Sequence, residues 1–166
     1  MIQKLHHSAY RCRDSEETRR FYEDFLGLPL VNAFAIGESK TGRQVDVLHT
    51  FFRMADGSHI AFFEAPAMPF EFKQQHDFDL HIALEVDCSA LPVMLERGKA
   101  LGIETRGITD HGRIHSIYLR DPNGYVIELC ARQTGSATDV AQQIDRAREA
   151  LRRWTDRQAI AASRPA

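Results

Sequence analysis

The segment HSIYLRDPNGYVIELC, residues 115–130, has the pattern of a β-hairpin. Apolar residues alternate on both sides of Asp-Pro-Asn-Gly, a combination that favours a tight turn. If Asp121 pairs with Tyr125 across a three-residue loop, Tyr118 lies opposite Glu128 on one face of the hairpin. A carboxylate within an otherwise apolar strand is costly to bury unless a cation lies nearby. The hairpin therefore predicts a cationic partner for Glu128.

This hairpin ends the second of two similar halves of the chain. HHSAYRCRDSEETRRFYEDFLGLPL, from His6, aligns with HIALEVDCSALPVMLERGKALGIET when His7 is matched to His81. Each half predicts an alternating strand, then a helix that begins near Ser or Asp and ends near Gly. The segments HTFFRMADGSHIAFFEA and HSIYLRDPNGYVIELCA also align, with Gly57 and Gly124 at the hairpin turns.

A tandem repeat of this kind predicts an α+β fold built from two βαβββ modules, at about residues 1–65 and 79–132. Each half-sheet needs a partner, so we expect the modules to pair into one curved mixed sheet around a metal site. Together they would form a single domain over about residues 1–135.

The connector PAMPFEFKQQHDFD, residues 66–79, carries three phenylalanines. Phe70, Phe72 and Phe78 suit two roles. They could form the mouth of a cavity for a planar apolar substrate, or they could cover the sheet edge between the modules.

Residues 136–166 predict a helical extension with an apolar stripe. The apolar side chains that recur at helical spacing are Val140, Ile144, Ala147, Leu151 and Trp154. Such a stripe packs either on its own domain or on a second subunit, and the sequence leaves both arrangements open.

The repeat gives the position of Glu128 an equivalent in the first module. Glu128 and Ala61 each lie four residues after the turn glycine of their hairpin, so the two positions are equivalent. His7, rather than His6, matches His81 at the start of the first strand of each module. Pseudo-twofold pairing would bring these four positions together at the centre, where Ala61 leaves one place empty.

Two imidazoles and one carboxylate form a facial ligand set that leaves coordination positions open for substrate and dioxygen. The sequence therefore predicts a metal site made of His7, His81 and Glu128. Fe(2+) is the expected metal, and Mn(2+) or another divalent ion is the alternative. Taken singly, each histidine also fits an ordinary half-buried side chain and Glu128 fits an arginine partner. Their symmetric placement favours the metal.

These features resemble the vicinal oxygen chelate superfamily, also called the glyoxalase/bleomycin-resistance/dioxygenase fold. LHHSAYRCRDSEETRRFYEDFLGL and YLRDPNGYVIEL are typical of it, and the resemblance covers the chain from Leu5 to Arg132. The resemblance implies that the family's metal ligands fall on the same two histidines and Glu128. Glyoxalase I carries a second glutamate at the place of Ala61, so its absence here counts against that isomerase.

A narrower resemblance concerns TDHGRIHSIYLRDPNGYVIE, which is similar to the signature of type I extradiol ring-cleavage dioxygenases. It implies that His111 and Tyr118 hydrogen-bond the oxygens of a bound catechol, and that His59, in DGSHIAFF, is the acid/base. His59 is two residues from Ala61, so strand periodicity puts both on one face. By themselves, His111 would also suit an exposed loop and Tyr118 would suit core packing.

The sequence thus predicts an Fe(II)-dependent dioxygenase that cleaves a catechol-like aromatic diol with O2, although most such enzymes have two module pairs rather than one. One alternative is another metal enzyme of the superfamily, such as a fosfomycin-type thiol transferase or a glyoxalase-like isomerase or epimerase. A transferase would need a basic cluster for a phosphonate, for which Arg43, Arg53 and Arg113 are candidates. The other alternative is a metal-free binding protein of the bleomycin-resistance kind, which would have no use for three ligands.

The composition of the chain indicates which classes of partner and which compartment to expect. A net charge of -2 and a pI near 6.4 do not favour nucleic acid or a membrane surface. No apolar run approaches the ~20 residues of a membrane span, and the N-terminus lacks a signal peptide's apolar region. Cys12, Cys88 and Cys130 are widely spaced, which indicates a reducing compartment, so we expect a cytoplasmic protein. Paired-module folds often dimerise, so we expect a homodimer.

Overall fold

The computed structural model describes residues 1–133 and 140–162. The first module comprises β1 His7–Cys12, α1 Ser15–Arg19 with its π-helical continuation Arg20–Phe25, β2 Leu30–Glu38, β3 Gln44–Arg53 and β4 His59–Glu64. The second module comprises β5 His81–Glu85, α2 Ala90–Ala100, β6 Thr105–Asp110, β7 Ile114–Arg120 and β8 Val126–Arg132. Helix α3, Val140–Ala162, follows. The predicted α+β fold of two βαβββ modules and a C-terminal helix is confirmed.

Each module contributes a four-stranded mixed sheet. The strand orders are β1-β4-β3-β2 and β5-β8-β7-β6, and the first and last strands of each module pair in parallel. The predicted single curved sheet is therefore divided into two. Strands β1 and β5 are edge strands, and both line a cleft of about 740 Å³. An open cleft between two edges explains why no continuous ladder forms across the described residues.

The predicted hairpin has the predicted register. Tyr118 pairs with Glu128 between β7 and β8, and the backbone N–H of Asp121 donates to the carbonyl of Tyr125 over 3.0 Å. Gly124 has a φ of 94°, a left-handed value that only glycine adopts readily. A Cβ there would also lie 2.3 Å from the carbonyl oxygen of Lys73, which excludes other residues on a second ground.

Local signals in the sequence also account for the helix boundaries. Asp14 caps α1, because its Oδ1 accepts from the backbone N–H of Glu17 over 2.7 Å. Gly27 and Gly102 follow the two module helices with φ values of 80° and 70°, as expected for helix-ending glycines.

The two modules share one hydrophobic core, which contains side chains from both sheets and from the helices of both modules. Its largest fully buried members are Tyr22, Phe52 and Phe62. Polar contacts reinforce this junction, because the turn after β7 binds the end of β1. The hydroxyl of Tyr125 donates to the carbonyl of Arg11 over 2.9 Å.

The connector lies partly against the first module. The guanidinium of Arg11 lies 5.1 Å from the ring centre of Phe70, and that of Arg13 lies 4.7 Å from that of Phe72. These two phenylalanines therefore cover the end of β1. Phe78, in contrast, is 94% exposed.

Met1–Gln133 forms one compact unit, and α3 belongs to a second. Most of the predicted apolar stripe of α3 is exposed: Val140, Ile144, Leu151 and Trp154. No helix among the described residues combines the length and the apolar character that a membrane crossing requires.

Candidate metal and substrate site

Strand alternation in the second module puts the carboxylate on the face away from the core. Ile127 and Leu129 of β8 are core residues, so Glu128 between them faces the opposite way. Ile82 of β5 is also a core residue, which puts His81 on the same face as Glu128. The shared core thus dictates where these two polar groups point.

The structure brings His81 and Glu128 together. The Nε2 atom of His81 lies 3.4 Å from Oε2 of Glu128, whose side chain is 9% exposed. The Nδ1 atom of His81 lies 2.7 Å from the carbonyl oxygen of Asp77. Because a carbonyl only accepts, Nδ1 carries the proton and donates. In this tautomer the Nε2 atom has a lone pair available to a metal.

Tyr118 and His111 lie beside this pair. The hydroxyl of Tyr118 lies 3.4 Å from Oε1 of Glu128 and 2.9 Å from Nε2 of His111. Burial, followed by the charge of Glu128, raises the pKa of Tyr118. The phenol therefore stays protonated at neutral pH, donates to Glu128 and accepts from His111.

His7 and His59 lie together on the first module. They are register partners in the parallel pair of β1 and β4, on the same face as Ala61. The Nδ1 atom of His7 is 2.8 Å from that of His6, and its ring centre is 5.6 Å from that of Phe51. His59 is thus placed beside His7, with its Nδ1 atom 3.4 Å from the carbonyl oxygen of His6.

The equivalence of the two modules holds in three dimensions. Ala61 pairs with Ala9 of β1, and Glu128 pairs with Ala83 of β5. Glu128 and Ala61 therefore occupy matching positions. Each lies two residues after the register partner of the histidine that begins its module's first strand.

Within one chain, the described residues contain no group of three or more His, Cys, Asp or Glu side chains that could hold a metal. His59, the register partner of His7, and His81 both line the cleft of about 740 Å³ between the two edge strands. The assignment of His7, His81 and Glu128 as one ligand set stays a prediction.

The chemistry of the second module's donors nevertheless fits a divalent cation. Glu128 is a buried carboxylate whose contacts, His81 and Tyr118, are not permanent cations. An ionised group at such a position needs a positive partner. Oxygen and imidazole nitrogen are ligands that Fe(2+) and Mn(2+) accept.

Two further residues of this site have no signal in the sequence. Asp77, in the connector, contacts His81 through its carbonyl and pairs with Arg106 through its carboxylate. The guanidinium of Arg106 lies 4.5 Å from the ring centre of Tyr118. These contacts join distant parts of the chain, so no local spacing could have indicated them.

Family comparison agrees with this geometry. The profile of the Glyoxalase/Bleomycin resistance protein/Dioxygenase superfamily matches residues 4–129. The chain belongs to this superfamily. The superfamily resemblance that the sequence suggested is thereby confirmed. Curated protein sequences provide no significant match.

Solved structures of the superfamily share the fold at low sequence identity. The fosfomycin resistance protein FosX from Listeria monocytogenes, solved with Mn(II) and sulfate, is 24% identical with a TM-score of 0.59, covering 81% of this chain and 96% of that one. A glyoxylase/bleomycin resistance protein/dioxygenase domain from Frankia is 16% identical with a TM-score of 0.64, covering 82% and 96%. A glyoxalase/dioxygenase from Nostoc punctiforme is 21% identical with a TM-score of 0.59, covering 79% and 92%. At such identity these likenesses show the fold, and the reaction has to be argued from the site.

Proposed function

We propose that this superfamily member is a metal-dependent dioxygenase of the extradiol type, which cleaves a catechol-like aromatic diol with O2. The observation that carries the proposal is the position of the Tyr118 hydroxyl, between Nε2 of His111 and the carboxylate of Glu128. A phenol and an imidazole beside a carboxylate that could bind a metal suit a substrate with two ionisable oxygens.

The residues of the second module have distinct roles in this proposal. A divalent metal held by His81 and Glu128 would supply open coordination positions for the two oxygens of a diol and for dioxygen. Tyr118 and His111 would then hydrogen-bond one diol oxygen and determine which oxygen keeps its proton. Because the phenol itself stays protonated, it can act as a donor to an ionised substrate oxygen.

We further propose that a second copy of the chain supplies the third ligand. The described residues of one chain include no group of three possible metal-binding side chains, yet His7, His81 and Glu128 remain the best ligand set that the repeat offers. A homodimer that joins the first module of one chain to the second module of the other would complete the set. His59, the register partner of His7, would arrive with it and act as the acid/base.

The proposed metal is Fe(2+), because dioxygen chemistry needs a redox-active ion, with Mn(2+) as the alternative. The proposed compartment is the cytoplasm, because the three cysteines are unpaired in the structure. A planar aromatic diol and O2 are the proposed small-molecule partners.

The fosfomycin-modifying reaction is the second candidate, because FosX is among the structures that share this fold. A phosphonate would need guanidinium or ammonium groups available at the site. Arg106 is paired with Asp77, however, and the Nε atom of Arg120 lies 2.9 Å from a carboxylate oxygen of Glu104. Both of these guanidiniums are paired with carboxylates, so a phosphonate site would need another cation, for which Arg53, the register partner of His59, is a candidate.

The test is oxygen uptake by protein purified anaerobically, loaded with Fe(II) and given a panel of catechols. We expect uptake with a yellow ring-opened product. His81→Ala and Glu128→Ala should abolish both uptake and tight metal binding, because each removes a ligand. Glu85→Ala, which removes an exposed carboxylate from the same strand as His81, should retain both.

Other outcomes would contradict the proposal in distinguishable ways. Metal binding without oxygen uptake, together with consumption of fosfomycin, would assign the chain to the second candidate. Protein that takes up no metal after reconstitution would instead indicate a binding function.

A further inference from the structure

One residue of the connector, Asp77, touches both halves of the second module's site. Its carbonyl oxygen accepts from Nδ1 of His81 over 2.7 Å, and its carboxylate forms an ion pair with Arg106. The guanidinium of Arg106 lies over the ring of Tyr118, 4.5 Å from its centre. The hydroxyl of that ring is the one that meets Glu128 and His111.

We propose that Asp77 and Arg106 form a clamp that positions the Tyr118 ring, so that its hydroxyl meets the carboxylate of Glu128. This inference rests on the proposed function for its catalytic meaning, but the clamp itself is a structural claim. Both are positioning residues, since they act through Tyr118 and not on the substrate.

The surroundings of Tyr118 explain why a clamp is needed. A cavity of about 350 Å³ borders its ring, and Asp77 and Arg106 also line that cavity. Packing alone therefore does not hold the ring on this side. A planar guanidinium stacked on the ring occupies the open side, and its attraction to the ring's electrons adds a preferred geometry.

Asp77 in turn holds the guanidinium in place. The side chain of Arg106 is 62% exposed, so without a partner it would be free to adopt other rotamers. The hydrogen bond from Arg106 lowers the pKa of Asp77, which keeps this carboxylate ionised at neutral pH. The backbone and the side chain of Asp77 therefore have separate tasks: the carbonyl orients His81, and the carboxylate orients Tyr118 through Arg106.

Because the carbonyl and the carboxylate of Asp77 act separately, substitutions can remove one contact and keep the other. Asp77→Ala keeps the carbonyl that orients His81 and removes only the carboxylate. Arg106→Ala removes the stacked guanidinium, and Arg106→Lys keeps the charge without the planar group. Glu85→Ala is the matched control, because it breaks an exposed ion pair with Arg132, 2.8 Å long, in the same sheet.

The first measurement needs neither metal nor substrate. Carbon-13 labelling of tyrosine rings gives signals for the four tyrosines, and Tyr118→Phe identifies the one that belongs to Tyr118. Asp77→Ala and Arg106→Ala should both shift or broaden the Tyr118 signals and leave those of the buried Tyr22 unchanged. Glu85→Ala should change neither. Unchanged Tyr118 signals in both clamp variants would overturn the proposal.

The second measurement uses the Fe(II)-loaded protein and a catechol. We expect Asp77→Ala and Arg106→Ala to lower kcat/KM by about ten-fold each, with metal content unchanged and with partial rescue in Arg106→Lys. In a Tyr118→Phe background neither variant should lower kcat/KM further, because the hydroxyl through which the clamp acts is gone.

The two measurements separate the possible failures. Equal losses with and without the hydroxyl would show that the ion pair has a general structural role, and would overturn the clamp. Shifted Tyr118 signals in a protein that cleaves no catechol would confirm the clamp and contradict the proposed function alone.

Discussion

Among single residues, Glu128 is a carboxylate in a buried position. A charge on a side chain that is only 9% exposed needs a compensating partner, and the contacts of Glu128 are a histidine and a tyrosine hydroxyl. His81 has the tautomer of a metal ligand, because Nδ1 donates to a carbonyl. On the other module, Ala61 occupies the position equivalent to Glu128, two residues from His59.

His59 is the proposed acid/base. We expect His59→Ala to keep tight metal binding and to slow turnover by ~10²–10⁴-fold, because it removes the proposed acid/base and no ligand. Metal content and single-turnover kinetics on one catechol measure the two effects. His76→Ala, at an exposed histidine of the connector, is the control. Turnover of His59→Ala within a few-fold of the wild-type rate would end this assignment.

At the scale of elements, the turn between β7 and β8 joins the modules. The carboxylate of Asp121 accepts from the hydroxyl of Tyr22 over 3.0 Å, and from the backbone N–H groups of Asn123 and Tyr125 over 2.9 and 2.8 Å. The side chain of Asn123 adds a further bond of 3.0 Å. The hairpin that carries Tyr118 and Glu128 is therefore also the attachment of the second module to the first.

Asp121→Asn should destabilise the protein by about 2–3 kcal/mol, because the new amide group faces donors and leaves them unpaired. Urea unfolding at neutral pH measures this loss, and Tyr22→Phe should show a smaller loss from removing one of these bonds. An unfolding midpoint equal to that of the wild type would contradict the role of the turn.

The same variant has a pH signature. Burial raises the pKa of Asp121 in the folded state, so the folded protein holds this proton more tightly than the unfolded chain does. The part of the stability that comes from holding this proton is complete below the unfolded value of about 4 and is lost as the pH rises through the folded value, while the hydrogen bonds to the carboxylate remain at neutral pH. Asp121→Asn should lack this decrease when unfolding is followed across the acid range. If the stability of Asp121→Asn decreases with pH as steeply as that of the wild type, the decrease arises from the titration of another group.

At the scale of the whole molecule, the question is how two modules make one site. One chain places the start of β8 against the end of β1, and its described residues contain no group of three possible metal ligands. The two edge strands β1 and β5 border an open cleft. A second copy that contributes its first module would complete the ligand set without rearranging the shared core.

Mixing two inactive variants tests this arrangement. His7→Ala and Glu128→Ala chains, unfolded and refolded together, should regain about a quarter of wild-type activity and of tight metal binding. Half of the dimers would then be mixed, and each mixed dimer would have one complete site. A mixture of His81→Ala and Glu128→Ala chains should regain nothing, because both changes lie in the second module. If neither mixture recovers while refolded wild-type chains do, the site lies within one chain.

Much of this molecule was determined by the sequence itself. The period of two along β7 and β8, with the turn glycine Gly124, specified a hairpin whose register pairs Tyr118 with Glu128. The internal repeat specified two βαβββ modules and the equivalence of Ala61 with Glu128. Both are local properties, because strand alternation and turn chemistry act over a few residues, and a repeat copies them.

Only the tertiary structure decided how these local units meet. The division into two sheets, the contact of His81 with Glu128, and the contacts of Asp77 and Arg106 depend on groups far apart in the chain. The core that both modules share determines these distances, because close packing in three dimensions leaves one arrangement of the two sheets. Residue spacing along the chain does not determine that arrangement. The sequence could therefore identify the candidate ligands but not their positions relative to one another.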